Sequence, residues 1–184
     1  MKSPTATVAI ISGSMNTDSF TRKLLKEVEQ RVQGLQMETE FIDVKELALP
    51  VYAPDEAPPE VIRTVSEKLR EADGIVVGAP EYHGSYTGAL KNLLDYLGSG
   101  EFEHKPIGLV TTTGGVKSGT NTLNHLRLVF RNLHGLVIPQ QFAISQKETD
   151  IHISLDDSTS LRLETFIKGL EVEVRKMLLL KDNS

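Results

Sequence analysis

The sequence predicts a three-layer α/β sandwich built on a five-stranded parallel sheet of strand order 2-1-3-4-5. Three observations predict it. Short apolar, β-branched runs alternate five times with longer segments of helical period. The middle run, Gly74–Ala79 (GIVVGA), is apolar throughout, as a strand covered on both faces tends to be. The 184 residues contain no repeat, low-complexity tract or domain-length linker, so residues 1–184 are read as one domain with one well-buried core. Right-handed crossovers then leave few topologies, of which 2-1-3-4-5 is common at this length.

The elements follow in order. Thr7–Ile11 (TVAII) reads as a buried strand and Ser12–Asp18 as a loop. From Phe20, the apolar positions Phe20, Leu24, Val28 and Val32 mark one face of a helix. Glu38–Val44 is a second strand. Pro50–Pro59, with four prolines, is a connecting loop, and the helix beyond it shows Val61, Val65, Leu69 and Ala72 on one face. After the strand at Gly74–Ala79 comes a helix carrying Leu90, Leu93, Leu94 and Leu97, with Tyr96 outside that stripe. Ile107–Val110 is the fourth strand and Thr122–Leu133 the next helix. Leu136–Ile144 is a fifth strand, bent near Pro139. Ser158 to about Leu180 is a last amphipathic helix, with Asp156 and Asp157 placed to favour its N-terminal dipole.

Composition excludes several function classes. A hydrophobic fraction of 39% and a charged fraction of 24% are those of an ordinary globular protein. The net charge of −5 and the lack of any basic run argue against nucleic acid, since phosphate neutralisation needs clustered Lys and Arg. Cysteine is absent, which removes disulfides and thiolate-ligated metals and fits a reducing cytoplasm. The apolar run ending at Ile11 is too short for a signal-peptide core or a membrane span, so the chain is expected to be soluble. The histidines at 83, 104, 125, 134 and 152 do not cluster, with His125 and His134 on one helix but on roughly opposite faces, and no metal site is expected.

In a sheet of this order, ligands bind outside the carboxyl ends of the strands where the order reverses. Three loops there are unusual. Ser12–Ser19 (SGSMNTDS) carries hydroxyl and amide side chains and a glycine, with no Lys or Arg, in front of a helix N-terminus. That is a place for an anion, because backbone N–H groups and the dipole both point at it; capping of the helix by Asp18 or Ser19 is the plainer alternative. It is neither a Walker loop nor G-x-G-x-x-G. Pro80–Gly88 (PEYHGSYTG) is long for a strand-to-helix connection and holds a proline, two glycines and two tyrosines where a planar ring could be received. Thr111–Gly115 (TTTGG) ends in paired glycines, which let backbone N–H groups approach a ligand closely.

Together these loops resemble the NADPH-dependent FMN reductase family, a group with a flavodoxin-like fold. That family carries G-S-x-R-x-x-S after strand one, P-E-Y-N with a following L-K-N and D after strand three, and a Gly-Gly loop after strand four. The matches are Gly13, Ser14 and Ser19; Pro80, Glu81, Tyr82, Leu90, Lys91, Asn92 and Asp95; and Gly114 with Gly115. Pro80–His83 followed by Ser85–Asn92 is closest to the bacterial FMN-dependent azoreductase branch, and the resemblance covers Val8 to about Ala143. Two positions depart from the family: its phosphate-loop arginine falls at Asn16, and its asparagine after Tyr82 is His83.

The resemblance implies FMN as cofactor, NADPH or NADH as hydride donor, and a small acceptor such as an azo compound, a quinone or free flavin. It places the phosphate against Ser14, Asn16, Ser19, Phe20 and Thr21. It lays the flavin ring over Pro80, Glu81, Tyr82, His83 and Gly84, with Thr113, Gly114 and Gly115 at the pyrimidine edge. Donor and acceptor would use one open flavin face in turn, so kinetics would be ping-pong, and no side chain would serve as a catalytic acid or base. It also implies a homodimer or homotetramer. Two other readings stay open. An electron carrier would shield its flavin between aromatic rings, which a chain with no Trp, 5% aromatics and no ring in Thr111–Gly115 is poorly equipped to do. The other is a flavin-free α/β binding module.

Overall fold

The computed structural model describes residues 5–115, 119–149 and 155–182. Met1–Pro4, part of the N-terminal stretch considered above, and His152 lie outside them. The strands are β1 (Thr7–Ser12), β2 (Glu38–Asp43), β3 (Gly74–Pro80), β4 (Pro106–Thr113) and β5 (Leu136–Ser145). They form one sheet of order β2-β1-β3-β4-β5, parallel at every pairing. The helices are α1 (Phe20–Gly34), α2 (Val44–Leu47), α3 (Glu60–Glu71), α4 (Gly88–Asp95), α5 (Thr120–Asn132) and α6 (Asp157–Asp182).

The period-two alternation of the strands sorts the helices into layers. Val8 and Ile10 of β1 pack with Leu24, Leu25 and Val28 of α1 and Phe166 and Leu170 of α6. Ala9 and Ile11 point the other way, to Val65 and Leu69 of α3, Leu90 of α4 and Leu126 and Phe130 of α5. The sheet is thus covered on both faces, and every residue of β3 is buried. Fully burying one such Leu or Ile contributes roughly 1.5–3 kcal/mol.

The expected order and topology hold, with local differences. Val44 does not extend β2 but starts the single turn α2, because Asp43 caps it by accepting the Lys45 amide at 3.1 Å. On α3, Ile62 takes the buried position expected of Val61. β4 continues to Thr113, so Thr111–Thr113 are the end of a strand and not a loop. α4 stops at Asp95, leaving Leu97 beyond it, and α5 ends at Asn132, so His134 does not share a helix with His125. The bend in β5 is real: between Ile107 and Leu109 of β4, the partner strand advances from Val137 to Gln141. Pro139, with no N–H to give the ladder, sits in that bulge. At α6, Asp156 accepts the Thr159 amide at 2.7 Å and caps the helix.

Tyr96, half-buried, has partners within the chain. Its ring packs edge-on against Tyr52 at 5.1 Å between centroids, and its hydroxyl donates to the Pro50 carbonyl at 3.2 Å. Asn92 completes the clamp, accepting the Tyr52 amide at 2.8 Å and donating to Pro50 O at 2.7 Å. The proline-rich loop is thereby held against α4.

Candidate functional site

The three loops singled out in the sequence follow β1, β3 and β4, which are consecutive neighbours in the sheet, so all three emerge on one edge. At the first, Ser19 is the N-cap of α1 and its Oγ accepts the Arg22 amide at 3.1 Å. Phe20 and Thr21 are the first two helical residues, whose N–H groups have no intrahelical acceptor. Ser14 is buried and its Oγ accepts the Asn16 amide at 3.3 Å, while Asn16 accepts the Asp18 amide at 3.1 Å. Ser14 and Ser19 therefore use acceptor capacity on the chain and keep a hydroxyl proton to donate. The Thr21 hydroxyl is engaged, 2.6 Å from that of Thr112 on β4, so Thr21 offers its amide.

Ser12 ends β1 beneath this loop. Among the buried side-chain polar atoms of the described residues, its Oγ is the one without a hydrogen-bond partner. Such orphans are uncommon in native interiors, and this one lies where β1 and β3 part.

The second loop is a built structure. The Tyr82 and Ser85 backbones bond to each other in both directions, at 2.9 and 3.1 Å, around a two-residue tip of His83 (φ 52°) and Gly84 (φ 79°). Positive φ at both central residues is the type I′ pattern. Histidine tolerates that region better than most side chains. Tyr82 and His83 are exposed at the tip. The base of the loop is tied down on two sides. The Glu81 amide donates to Thr112 O at 2.8 Å, and Glu81 Oε2 accepts from Thr122 Oγ1 of α5 at 2.8 Å. Ser85 Oγ and His125 Nδ1, also on α5, share a hydrogen bond of 2.9 Å.

The third loop begins at the end of β4, where Thr113 Oγ1 donates to Gly115 O at 2.8 Å and folds the glycine pair back. Gly114 and Gly115 are exposed, and a Cβ at either would meet none of the described residues within 4 Å. Packing against the described residues does not require glycine there.

The site's charges are few. Arg22 pairs with Asp43 at the end of β2, and hydrogen bonding to that carboxylate raises the pKa of the guanidinium against the opposing effect of burial. Lys45 reaches the Thr17 hydroxyl. Among the described residues no group of three His, Cys, Asp or Glu is placed to hold a metal ion. Sequence reasoning missed Arg22, Thr87, Thr122 and His125. Thr87 stood directly before the apolar period of α4, a legible N-cap signal. The other three are held by partners 21 to 41 residues away, which no local pattern reports.

The fold is that of a flavodoxin-like α/β oxidoreductase, with the first loop and the start of α1 at the strand end where the sheet order reverses. The family model described as NADPH-dependent FMN reductase matches residues 6–149, and the chain belongs to that family. FMN and NADPH are the molecules by which the family is described. The chain is 37% identical over 158 residues to the FMN-dependent NADPH-azoreductase of Staphylococcus saprophyticus, covering 82% of this chain and 81% of that one. Over 169 residues it is 34% identical to the Staphylococcus aureus enzyme of the same name, with 86% and 89% covered. Among solved structures it superposes on a flavoenzyme NAD(P)H:(acceptor) oxidoreductase of Paracoccus denitrificans with a TM-score of 0.79. That match covers 94% of this chain and 98% of the other at 23% identity, and speaks to fold alone.

Proposed function

We propose that residues 1–184 form a single FMN-binding domain that passes hydride from NADPH or NADH to a small acceptor, an azo compound, a quinone or free flavin. One observation carries the reading: hydroxyls and free helix-start amides stand at one end of the strand edge, and a glycine pair that a Cβ would not bring against any described residue stands at the other. In this reading Ser14, Asn16 and Ser19 and the amides of Phe20 and Thr21 hold the phosphate. Pro80, Glu81, Tyr82, His83 and Gly84 receive the ring, and Thr113, Gly114 and Gly115 meet its pyrimidine edge. The buried, unpartnered Ser12 hydroxyl under the first loop fits a ligand that completes the site.

Bound FMN supplies the hydride chemistry, and the chain orients and tunes it. The Gly114 and Gly115 amides would donate to the pyrimidine carbonyls and stabilise negative charge there. Thr122 and His125 keep the Glu81–Ser85 turn in one place. No side chain is assigned a proton-transfer role. The electron-carrier reading is less well supported, because Thr111–Gly115 holds no ring to cover a second flavin face.

The reaction consumes reduced nicotinamide, so the cytoplasm, where it is regenerated, belongs to the proposal. No helix among the described residues is long and apolar enough to cross a membrane. A homodimer or homotetramer is supported by an apolar groove of about 380 Å³ beside the first loop. Met15, Leu49, Val51 and Ala89 line it, and Val51 is 86% exposed. A second copy of the chain is the occupant proposed.

The test is direct. Cofactor released from the purified protein by heat should chromatograph as FMN, and FAD at full occupancy overturns the assignment. NADPH oxidation against a quinone or azo dye should give parallel double-reciprocal lines, because donor and acceptor must each bring a reacting atom to the same face. Intersecting lines reject the shared face. Sedimentation at micromolar concentration should show a dimer or tetramer, and a 20.3 kDa monomer rejects the assembly.

A further inference from the structure

The cations at the phosphate end of the proposed site come from outside the loop, Lys45 at the Thr17 hydroxyl and Lys23 at Asp18. Ser12–Ser19 contains neither Lys nor Arg. A guanidinium stands directly behind it. Arg22, in the first turn of α1, donates through Nη1 to the carbonyls of Asn16 at 3.0 Å and Thr17 at 3.3 Å. Through Nη2 it reaches the Ser14 carbonyl at 3.5 Å. Its other edge is held by Asp43, with Nη2 to Oδ1 at 3.2 Å and a short contact from Nε to Oδ2. Asp43 closes β2, the edge strand, and its side chain is only 4% exposed. The guanidinium is therefore fixed on the outer side of the loop, away from the crevice between β1 and β3.

Peptide geometry turns that into a consequence for the ligand. In a trans peptide the N–H of one residue points opposite the C=O of the residue before it. Drawing the carbonyls of Ser14 and Asn16 outward onto Arg22 turns the amides of Met15 and Thr17 inward. Without a cation behind them, those carbonyls would be free to face the crevice and present negative potential to an anion. A planar fork suits this task because it pairs with Asp43 and serves three loop carbonyls at the same time, which a lysine ammonium, a point donor on a flexible stem, does not reproduce.

We propose that Arg22, oriented by Asp43, is the positioning residue that holds the Ser14–Thr17 backbone in its anion-binding conformation, acting from behind the loop without touching the phosphate. The proposal rests on the reading that FMN phosphate occupies this loop. It separates the phosphate end from the ring end, since nothing links Arg22 to Pro80–Gly84 or Thr113–Gly115 among the contacts above.

The experiment compares FMN with riboflavin, which has the ring but no phosphate, on apoprotein of the original chain, Arg22→Met, Arg22→Lys and Asp43→Asn. Binding is followed by quenching of flavin fluorescence and folding by circular dichroism. In Arg22→Met, FMN affinity should fall by about ten-fold or more, the scale of one or two charge-assisted hydrogen bonds. Riboflavin affinity should stay within about two-fold, since the ring contacts are untouched. Arg22→Lys should resemble the methionine variant, and Asp43→Asn should lose less. Amides 15 and 17 should exchange hydrogen faster in Arg22→Met. If Arg22→Lys binds FMN as tightly as the original chain, charge alone suffices and the positioning role is overturned. Equal losses of FMN and riboflavin overturn it too, as a general structural defect. If the original chain shows no preference for FMN over riboflavin, the phosphate-site reading fails instead. Should Arg22→Met not fold, the Lys and Asn variants decide.

Discussion

Thr87 Oγ1 donates to the carbonyl of Gly13, 74 residues earlier in the chain, at 2.5 Å, and accepts the amide of Leu90 at 3.1 Å. One buried hydroxyl thus caps α4 and ties the first loop to the start of that helix. Gly13 itself sits so close that a Cβ there would lie 2.9 Å from Leu90 Cβ. Thr87→Val keeps the shape but strands a buried carbonyl and an uncapped amide. It should cost about 2–4 kcal/mol, read as a lower urea midpoint at unchanged slope. Thr87→Ser should recover most of the loss.

Glycine means different things at two positions of the same connection. Gly114→Val places its side chain in open space, so unfolding should change by less than about 0.5 kcal/mol. FMN affinity and turnover should nonetheless fall, because the valine blocks backbone approach to the ring. Gly119, before α5, has φ 65°, and a Cβ there would lie 2.4 Å from Thr111 Cγ2. Gly119→Ala should destabilise the fold by about 1–3 kcal/mol. Thermal unfolding alongside flavin titration of both variants separates the two roles.

His83 occupies a left-handed position at an exposed loop tip. His83→Asn should leave the turn intact, since Asn is favoured there, whereas His83→Val should cost about 1–3 kcal/mol. His83→Ala should alter acceptor selectivity, measured as the ratio of kcat/KM for azo dye to that for quinone, while the protein keeps its colour. A colourless His83→Ala protein would assign the imidazole to holding the cofactor.

Glu101 supplies a pH-dependent term far from the site. Burial pushes its pKa up, but hydrogen bonds from Ser66 Oγ (2.7 Å), the Gly98 amide (2.9 Å) and Arg70 Nε (2.7 Å) outweigh that and hold it below the ordinary value of 4.5. Below pH 4.5 the unfolded chain takes up a proton that the native carboxylate still refuses, so stability falls as pH falls toward the native pKa. Above 4.5 the contribution is complete. Urea unfolding between pH 3 and 6 should therefore show a steeper acid loss in the original chain than in Glu101→Gln. Equal slopes would assign the acid loss to other carboxylates.

The layers and strand order are legible in the sequence, because periodicities of 2 and 3.6 are local and report which face of each element is apolar. Leu24, Val28 and Val32 needed no partner in view to be read as one buried stripe. Element ends were less legible. Thr111–Thr113 look like a polar loop, yet they are strand, since Thr111 Oγ1 finds the Ala79 carbonyl at 2.9 Å and Thr112 finds Thr21. A hydroxyl satisfied by a neighbour can be buried as readily as a valine, and only the neighbour reveals it.

The candidate site divides the same way. Loop composition and strand-end position pointed to Ser14, Ser19, His83 and Gly114 from the sequence alone, because turn chemistry and helix capping are decided within a few residues. That Arg22 stands behind the Ser14–Thr17 carbonyls, that Thr87 reaches Gly13, and that Thr122 and His125 anchor the Glu81–Ser85 turn was decided by folding. Each is a hydrogen bond closed when parallel strands bring distant loops to one edge, except for Arg22, whose orientation is set by Asp43 on the neighbouring strand. Such bonds depend on where two side chains end up in space, within a few tenths of an ångström, and no spacing along the chain encodes that distance.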